Sequence, residues 1–280
     1  MKKSQVKMVL CGVLAILCCW VPISSAQVTS NVYTRVLYIQ AGERVGTAFT
    51  MDVDGRQYLI TAKHLTIGLK EQDLVNVYSS NKWSPTPVKV LRCKDPVDIA
   101  VLVPSRILTP SYLLEPISGN RQITIGQDVY FVGFPLGLSM EDKGLNRDYP
   151  LGIVKKGVLS ASFNEEGVVI YLLDAFNNPG FSGAPVVYRE TPHADAYVLG
   201  VVSGFPRELS PVMTPRELRS GEDTSKIEPW RIIERTKGHK EVLVDTGQLV
   251  NLNPGIVICY GIKHAIELIQ QNPLGPKIAQ

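Results

Sequence analysis

The sequence has few metal-ligating side chains, and those it has are not grouped. There are five cysteines and four histidines in 280 residues. A zinc site needs three or four such side chains, usually with a short spacing between two of them. The histidines are scattered, and the cysteines outside the N-terminal stretch are far apart. The sequence therefore predicts neither a metal site nor another cofactor.

Long apolar runs are also missing, apart from one near the N-terminus. It extends from Met8 to Val21, follows three lysines, and precedes small residues that end at Ala26. This order is typical of a bacterial secretory signal peptide at residues 1–26. A retained membrane anchor is the less favoured alternative, because a spanning helix needs about 20 apolar residues. We expect export of residues 27–280 to the periplasm or outside the cell, with no stable membrane anchor after cleavage.

An excess of positive charge is absent once this segment is removed. The whole chain has 29 Lys and Arg against 26 Asp and Glu, and residues 1–26 contain three lysines and no acidic residue. The mature chain is therefore neutral, and no run of Lys or Arg forms a basic stripe. Nucleic-acid binders normally carry a basic patch, so nucleic acid is not a predicted partner.

Helical periodicity is nearly absent, which favours an all-β fold. Short runs rich in Val, Ile, Tyr and Thr, such as Thr47 to Val53 and Tyr58 to Ala62, alternate with Gly, Pro, Asn and Asp. Many such runs without intervening helices predict a sandwich or barrels. Only residues 262–271 have apolar positions at helical spacing, so we expect one C-terminal amphipathic helix.

The chain does have a serine between glycines, in the segment Gly180–Pro185 with the sequence GFSGAP. Glycines at 180 and 183 permit a tight, partly left-handed turn. Such a turn can direct the backbone N–H groups of Gly180 and Ser182 at one point. Two preorganised N–H donors are what an acyl-transfer site needs to stabilise an oxyanion.

A base and an orienting acid for this serine are available earlier in the chain. His64 follows the apolar run that ends at Ala62, and Asp98 precedes the apolar run that begins at Ile99. A serine hydroxyl needs such an adjacent base to become nucleophilic. The alternatives are a structural histidine, an aspartate that caps a turn, and a serine in an ordinary Gly/Pro turn.

The order His, Asp, Ser and its local contexts resemble the chymotrypsin-like (trypsin-like) serine peptidases. The resemblance is closest to exported bacterial HtrA-like protease domains, here without a PDZ segment. The resemblance covers most of residues 35–270. Five further segments resemble strands of that family: Gly46–Phe49, Gly126–Pro135, Gly157–Ala161, Gly200–Ser203 and Gly255–Tyr260.

The resemblance implies two six-stranded antiparallel β-barrels followed by a C-terminal α-helix. It implies a peptidase domain over residues 27–280, with a first barrel at about 30–115 and a second at about 120–262. It also places Cys93 and Cys259 in different barrels as unpaired core thiols, and a disulfide between them is the alternative.

The same resemblance implies a mechanism and its residues. His64 acts as general base, Asp98 orients the imidazole, and Ser182 attacks a peptide carbonyl to form an acyl-enzyme. The backbone N–H groups of Gly180 and Ser182 form the oxyanion hole. The expected partner is a protein or peptide substrate.

Substrate binding is implied at four positions. The hydroxyl of Ser203 supports Asp98, and the backbone of Ser203, Gly204 and Phe205 pairs with an extended substrate by strand addition. Phe176, six residues before the serine, helps to floor the primary specificity pocket. Because Phe176 is not acidic, a preference for Lys or Arg before the scissile bond is disfavoured.

Residues 206–254 interrupt the strand pattern with prolines and charged residues. This charged insertion is either a solvated surface loop, with a short hairpin near residues 241–249, or a flap over the substrate groove. Long loops inside compact domains tend to be functional or disordered.

Two other functions remain open at the level of sequence. The chain is alternatively a catalytically silent trypsin-like scaffold that binds a peptide or protein partner, with the insertion 206–254 blocking the groove. A third hypothesis is an esterase-like acyl hydrolase that uses the same residues.

Overall fold

The computed structural model describes residues 27–110, 115–116, 123–146, 148–191, 194–236 and 238–278, and of residues 115–116 only the backbone. The signal peptide predicted at residues 1–26 lies outside the described residues.

The first barrel is a closed ring of six antiparallel strands in the order β1-β2-β3-β6-β5-β4. The hairpin between β2 and β3 turns at Asp54 and Gly55, which both have positive φ, as an Asp-Gly turn requires. Buried side chains such as Leu37, Leu59 and Leu102 fill the ring. The strands are β1 (Val36–Ala41), β2 (Arg44–Val53), β3 (Arg56–Thr61), β4 (Gln72–Ser79), β5 (Lys82–Arg92) and β6 (Ala100–Pro104).

The second barrel is also a closed ring of six strands, because one strand pairs with both ends of the row formed by the other five. Its ring runs β8-β9-β10-β16-β12-β11, and β11 returns to β8. A two-residue strand, β7 (Glu115–Pro116), adds to β12 in parallel. The strands are β8 (Asp128–Gly133), β9 (Ile153–Glu165), β10 (Val168–Asp174), β11 (Pro185–Tyr188), β12 (Tyr197–Gly204) and β16 (Ile256–Gly261). The predicted pair of six-stranded antiparallel barrels is confirmed.

The charged insertion differs from the predicted loop, because most of it is a sheet. It forms β13 (Glu208–Glu217), β14 (Ile232–Thr236) and β15 (His239–Leu252), in the order β13-β15-β14. The short hairpin predicted near residues 241–249 is not formed, because these residues lie within the single strand β15, which pairs along the whole length of β13. The end of this sheet that joins β12 and β16 has exposed apolar side chains, among them Leu209 and Leu249.

The expected C-terminal helix is present at Lys263–Gln271, and Ala265 and Ile269 are its buried residues. A four-residue helix, Ser30–Tyr33, precedes the first barrel. In the described ranges no helix has the length and apolar character needed to cross a membrane.

One hydrophobic cluster joins the two barrels and the C-terminal helix. It contains Phe49 and Ile60 of the first barrel, Val132 and Phe134 of the second, and Ile269 of the helix. All five side chains are fully buried or nearly so. Burial of this apolar surface holds the facing sides of the two barrels together, at about 25 cal/mol for each Å².

Cys93 and Cys259 are free thiols in different barrels. Cys93 follows β5, and Cys259 is buried in β16. Burial raises the pKa of Cys93 to about 11 and raises that of Cys259 further. Neither thiol ionises at neutral pH, so both behave as small apolar side chains.

Candidate active site

His64 lies in a short 3-10 helix, Lys63–Thr66, immediately after β3. Its backbone N–H donates to Oδ1 of Asp98 at 2.8 Å, and its Nδ1 is 2.7 Å from Oδ2 of the same carboxylate. His64 is thus bound to Asp98 through both its backbone and its imidazole ring. Among the described residues, Nε2 has no hydrogen-bond partner.

Asp98 lies in the connection between β5 and β6, which the bond from Cys93 N–H to Ile99 O closes at 3.0 Å. Its Oδ2 also accepts a 2.6 Å hydrogen bond from the Ser203 hydroxyl. Burial alone would raise the pKa of Asp98, but the hydrogen bonds from His64 and Ser203 outweigh it, so the pKa lies below its usual value.

This geometry determines the tautomer of the neutral imidazole. Asp98 is ionised at neutral pH and can only accept, so Nδ1 of His64 carries the hydrogen. The lone pair then lies on Nε2, the nitrogen that forms no hydrogen bond with the described residues. A neutral imidazole in this tautomer is a base at Nε2.

The loop that carries Ser182 approaches other backbone segments so closely that only glycine fits at two positions. Gly180 and Gly183 have φ of +105° and +84°. A β-carbon at Gly180 would collide with the carbonyl oxygen of Phe134, and one at Gly183 with that of Thr47. The turn expected from the sequence motif therefore has a steric cause as well as a conformational one.

Four backbone groups of this loop form hydrogen bonds with other segments of the chain. Those of Ser182 and Gly180 bind to Thr47: Ser182 O accepts from Thr47 N at 2.9 Å, and Gly180 O accepts from Thr47 Oγ1 at 2.7 Å. The other two bonds run from Gly183 N to Val202 O at 2.8 Å and from Leu136 N to Pro179 O at 2.7 Å. By contrast, the N–H groups of Gly180 and Ser182 have no partner among the described residues, and they remain available to a ligand.

The hydroxyl of Ser182 is not bonded to His64. It donates to the carbonyl oxygen of Ser203 at 3.2 Å. Ser203 lies at a bulge, because the register of β12 on β16 shifts between Val202 and Gly204. A bulge redirects side chains and carbonyls, and here it aims the Ser203 hydroxyl at Asp98 and the Ser203 carbonyl at Ser182.

The described chain thus brings a basic imidazole, a partly buried carboxylate and a serine-bearing turn to the junction of two barrels. The family model of the trypsin-like peptidase domain matches residues 46–192, which is more than half of the 280 residues. The chain belongs to the trypsin-like peptidase family. The predicted family is thereby confirmed, and the protein is a serine endopeptidase that acts on proteins or peptides.

Solved structures of two proteases share the fold. The HtrA-type protease AlgW, in a complex with a tripeptide, has a TM-score of 0.52 at 19% identity over 86% of this chain and 61% of that chain. The active form of the Rv3671c protease from M. tuberculosis has a TM-score of 0.50 at 16% identity over 89% and 86% of the two chains. A sequence comparison with curated proteins finds no match.

Of the substrate-binding positions expected in this trypsin-like peptidase, Ser203 and Gly204 lie at the end of β12, where Gly204 pairs with Ile258. Phe205 follows directly and is partly exposed. Phe176 does not form a buried pocket floor, because its side chain is 62% exposed. The carbonyl of Phe176 accepts a hydrogen bond from Lys155, which helps to set the course of the chain at that point.

Two residues of the site were not found from the sequence. Thr47 binds the serine loop, and its only signal was its position within the strand motif that begins at Gly46. Lys155 donates to Phe176 O at 2.7 Å and to Asn178 Oδ1 at 2.6 Å. Burial lowers the pKa of Lys155. No sequence signal marked this lysine, because its partners are distant in the chain.

Within the described ranges, no three His, Cys, Asp or Glu side chains are grouped so that they could hold a metal ion. His264, outside the site, accepts a hydrogen bond from Val169 N at Nε2, at 3.0 Å. His193 lies outside the described residues.

Proposed function

We propose that Ser182, His64 and Asp98 are the catalytic triad of this endopeptidase. The observation that carries the proposal is the pair of hydrogen bonds from His64 to one carboxylate, which leaves Nε2 basic. Ser203 links this carboxylate to the serine, because its hydroxyl donates to Asp98 and its carbonyl accepts from the Ser182 hydroxyl. In the reaction, Ser182 Oγ forms a bond to the substrate carbonyl carbon while its proton passes to Nε2. The imidazolium then protonates the amine, the C–N bond breaks, and water hydrolyses the acyl-enzyme by the same route.

The oxyanion formed in each step is proposed to bind to the N–H groups of Gly180 and Ser182. The support is that neither donor has a partner in the part of the chain that the structure describes, while the neighbouring carbonyls of the same loop are held by hydrogen bonds. Donors that do not have to break an existing bond cost little to reorganise. Loss of one such donor costs about 10²–10³ in kcat.

The serine hydroxyl must turn before it can react. In the structure it donates to Ser203 O, the carbonyl that an extended substrate would use for strand addition. A substrate N–H bound there competes with the hydroxyl. Rotation about χ1 of Ser182 then directs Oγ to Nε2 of His64, so that substrate pairing and activation of the nucleophile are linked.

Substrates with Lys or Arg before the scissile bond are proposed to be poor. Position 176 is phenylalanine, and the ammonium group of Lys155 lies beside it, bound to the carbonyl of Phe176. A second positive charge placed nearby would be repelled. Small or aliphatic side chains are the expected preference, and cleavage of a mixed peptide library tests it. Dominant cleavage after basic residues would contradict this specificity.

The triad is tested with a fluorophosphonate probe, which labels a serine only when a base activates its hydroxyl. We expect labelling of the peptide that contains Ser182, and no labelling of folded Ser182→Ala. Ser210→Ala, on the exposed β13, is the matched control and should label like the wild type. Folded wild-type protein that fails to label would instead support the silent scaffold.

Export is the remaining part of the proposal, and it rests on the sequence of residues 1–26. Mass spectrometry of the N-terminus, after expression in a bacterium, tests it. A mature chain that begins at Gln27 in the periplasm or medium is expected. A chain that keeps residues 1–26 inside the cell would exclude export.

A further inference from the structure

Thr47 is the point at which three segments of the site meet. It lies on β2 of the first barrel and is fully buried. Its hydroxyl donates to Gly180 O at 2.7 Å and accepts from Phe134 N at 3.1 Å. Its own N–H donates to Ser182 O at 2.9 Å, and its carbonyl accepts from Thr61 Oγ1 at 2.7 Å. Thr47 thus binds the backbone carbonyls of Gly180 and Ser182, the two residues whose N–H groups are the proposed oxyanion donors.

We propose that the hydroxyl of Thr47 is a positioning group that sets the oxyanion hole. The inference rests on the proposed role of the Gly180 and Ser182 N–H groups. The carbonyl that the hydroxyl binds belongs to the peptide that links Gly180 to Phe181, between the two donors. Holding that peptide plane fixes the rotation of the backbone from one donor to the next.

Gly180 needs such an external restraint. It has no side chain and a φ of +105°, a region in which glycine moves with little steric resistance. The 179–180 peptide is anchored on one side by the bond from Leu136 N to Pro179 O. The next peptide, 180–181, is anchored from the first barrel by the Thr47 hydroxyl at Gly180 O and within the loop by a 3.2 Å bond from Phe181 N to Asn178 O. Together these bonds hold both peptide units that flank the Gly180 α-carbon.

A hydroxyl, and not only a side chain of this size, is required at position 47. The group both donates and accepts, and each of its partners is a backbone group in a tightly packed region. A β-carbon at Gly133 would come within 2.6 Å of Thr47 Oγ1, which shows how closely the segments approach. Valine would fill the same volume but leave Gly180 O and Phe134 N without this partner.

The role also explains how the two barrels cooperate. Thr47 belongs to the first barrel, whereas Phe134 and Gly180 belong to the second. The hydroxyl therefore transmits the relative position of the barrels to the oxyanion hole. Catalytic groups need this accuracy, because a displacement of about 1 Å costs about 10²-fold in rate.

The test compares Thr47→Val and Thr47→Ser with Thr50→Val. Thr50 is also a fully buried threonine of β2, and its hydroxyl bonds to that of Thr109, away from the serine loop. The fraction of folded protein is measured by urea unfolding, and kcat and KM are then measured per folded molecule with a peptide substrate. Binding of a peptide boronic acid, whose adduct with serine places an oxygen in the oxyanion hole, is the second measurement.

We expect Thr47→Val to lower kcat per folded molecule by about 10- to 100-fold with KM within about threefold, since the loss concerns the transition state. Boronate affinity should fall by a similar factor. Thr47→Ser should retain most of the activity, and Thr50→Val should lose stability only. If Thr47→Val does not fold, Thr47→Cys, with a weakly hydrogen-bonding thiol of similar size, is expected to show the same selective loss.

A wild-type kcat and boronate affinity in folded Thr47→Val would overturn the positioning role. Where Thr47→Val does not fold, the same result in folded Thr47→Cys would overturn it. So would a Thr47→Ser variant as impaired as Thr47→Val. Failure of the proposed function is distinct, because Ser182→Ala would then remain active or the wild type would not label. The two failures are separated by measuring Ser182→Ala in the same experiment.

Discussion

Replacement of Asp98 by asparagine tests the triad through the tautomer of His64. The carboxylate of Asp98 accepts from the backbone N–H and from Nδ1 of His64, and from the hydroxyl of Ser203. The backbone N–H can only donate, so the asparagine oxygen must face it. The amide NH₂ group then faces Nδ1, and the Ser203 hydroxyl can rotate to accept. Nδ1 is forced to act as acceptor, and the hydrogen moves to Nε2.

Such a histidine cannot take a proton from Ser182. We expect kcat/KM of Asp98→Asn to fall by about 10⁴-fold, the cost of a wrong tautomer in a triad of this kind. At about 1.36 kcal/mol for each factor of ten, this is about 5 kcal/mol of lost transition-state stabilisation. The assay measures the rate of peptide hydrolysis at neutral pH per folded molecule. The rate at which a fluorophosphonate labels Ser182 is the second measurement.

Ser203→Ala is the matched control, because it removes the 2.6 Å hydrogen bond to Asp98 and leaves the tautomer unchanged. A hydrogen bond to a charged group is worth about 1.5–3 kcal/mol, and only part of that acts on the transition state. We expect about a tenfold loss. Asp98→Asn with more than about a tenth of the wild-type rate would refute the tautomer argument.

Two further predictions concern stability. Gly183→Ala combines a φ of +84° with a collision at Thr47 O, so we expect a loss of several kcal/mol in urea unfolding or no folded protein; near-wild-type stability would contradict the packing described. Burial, followed by the charge of Lys263, lowers the pKa of His264, whose neutral Nε2 accepts from Val169 N. Because the folded pKa lies below the unfolded value, this contribution is complete above about pH 6.5 and is lost as pH falls through the folded pKa. The unfolding free energy of His264→Gln should therefore fall less between about pH 7 and pH 5, and equal slopes would count against the assignment.

The barrels were predictable because their signals are local. The Asp54–Gly55 turn and the motifs around His64 and Ser182 each depend on a few adjacent residues. The sheet of the charged insertion was harder, because Pro211 and Pro215 interrupt β13 and argue against a strand. The structure resolves the conflict: β13 is an edge strand, where proline is tolerated since no further strand needs its N–H.

The contacts within the site were predictable only in part. The residue types and their order indicated the chemistry, but the partner of the Ser182 hydroxyl depends on a bulge at Ser203, which no local pattern revealed. The course of the chain at Phe176 likewise involves the distant Lys155. Side-chain rotamers and long-range contacts follow from packing, and one sequence does not encode them as a short motif.

The charged insertion begins and ends at neighbouring points of one strand pair. Gly204 lies opposite Ile258, and the pairings that close the second barrel, between β11 and β12 and between β12 and β16, lie outside the insertion. The insertion thus occupies the place of a hairpin turn. Exchange of residues 206–254 for a short turn would therefore leave those strand pairings in place, and would remove the hydrogen bond from Asn253 to Asn177 O in the loop before Ser182.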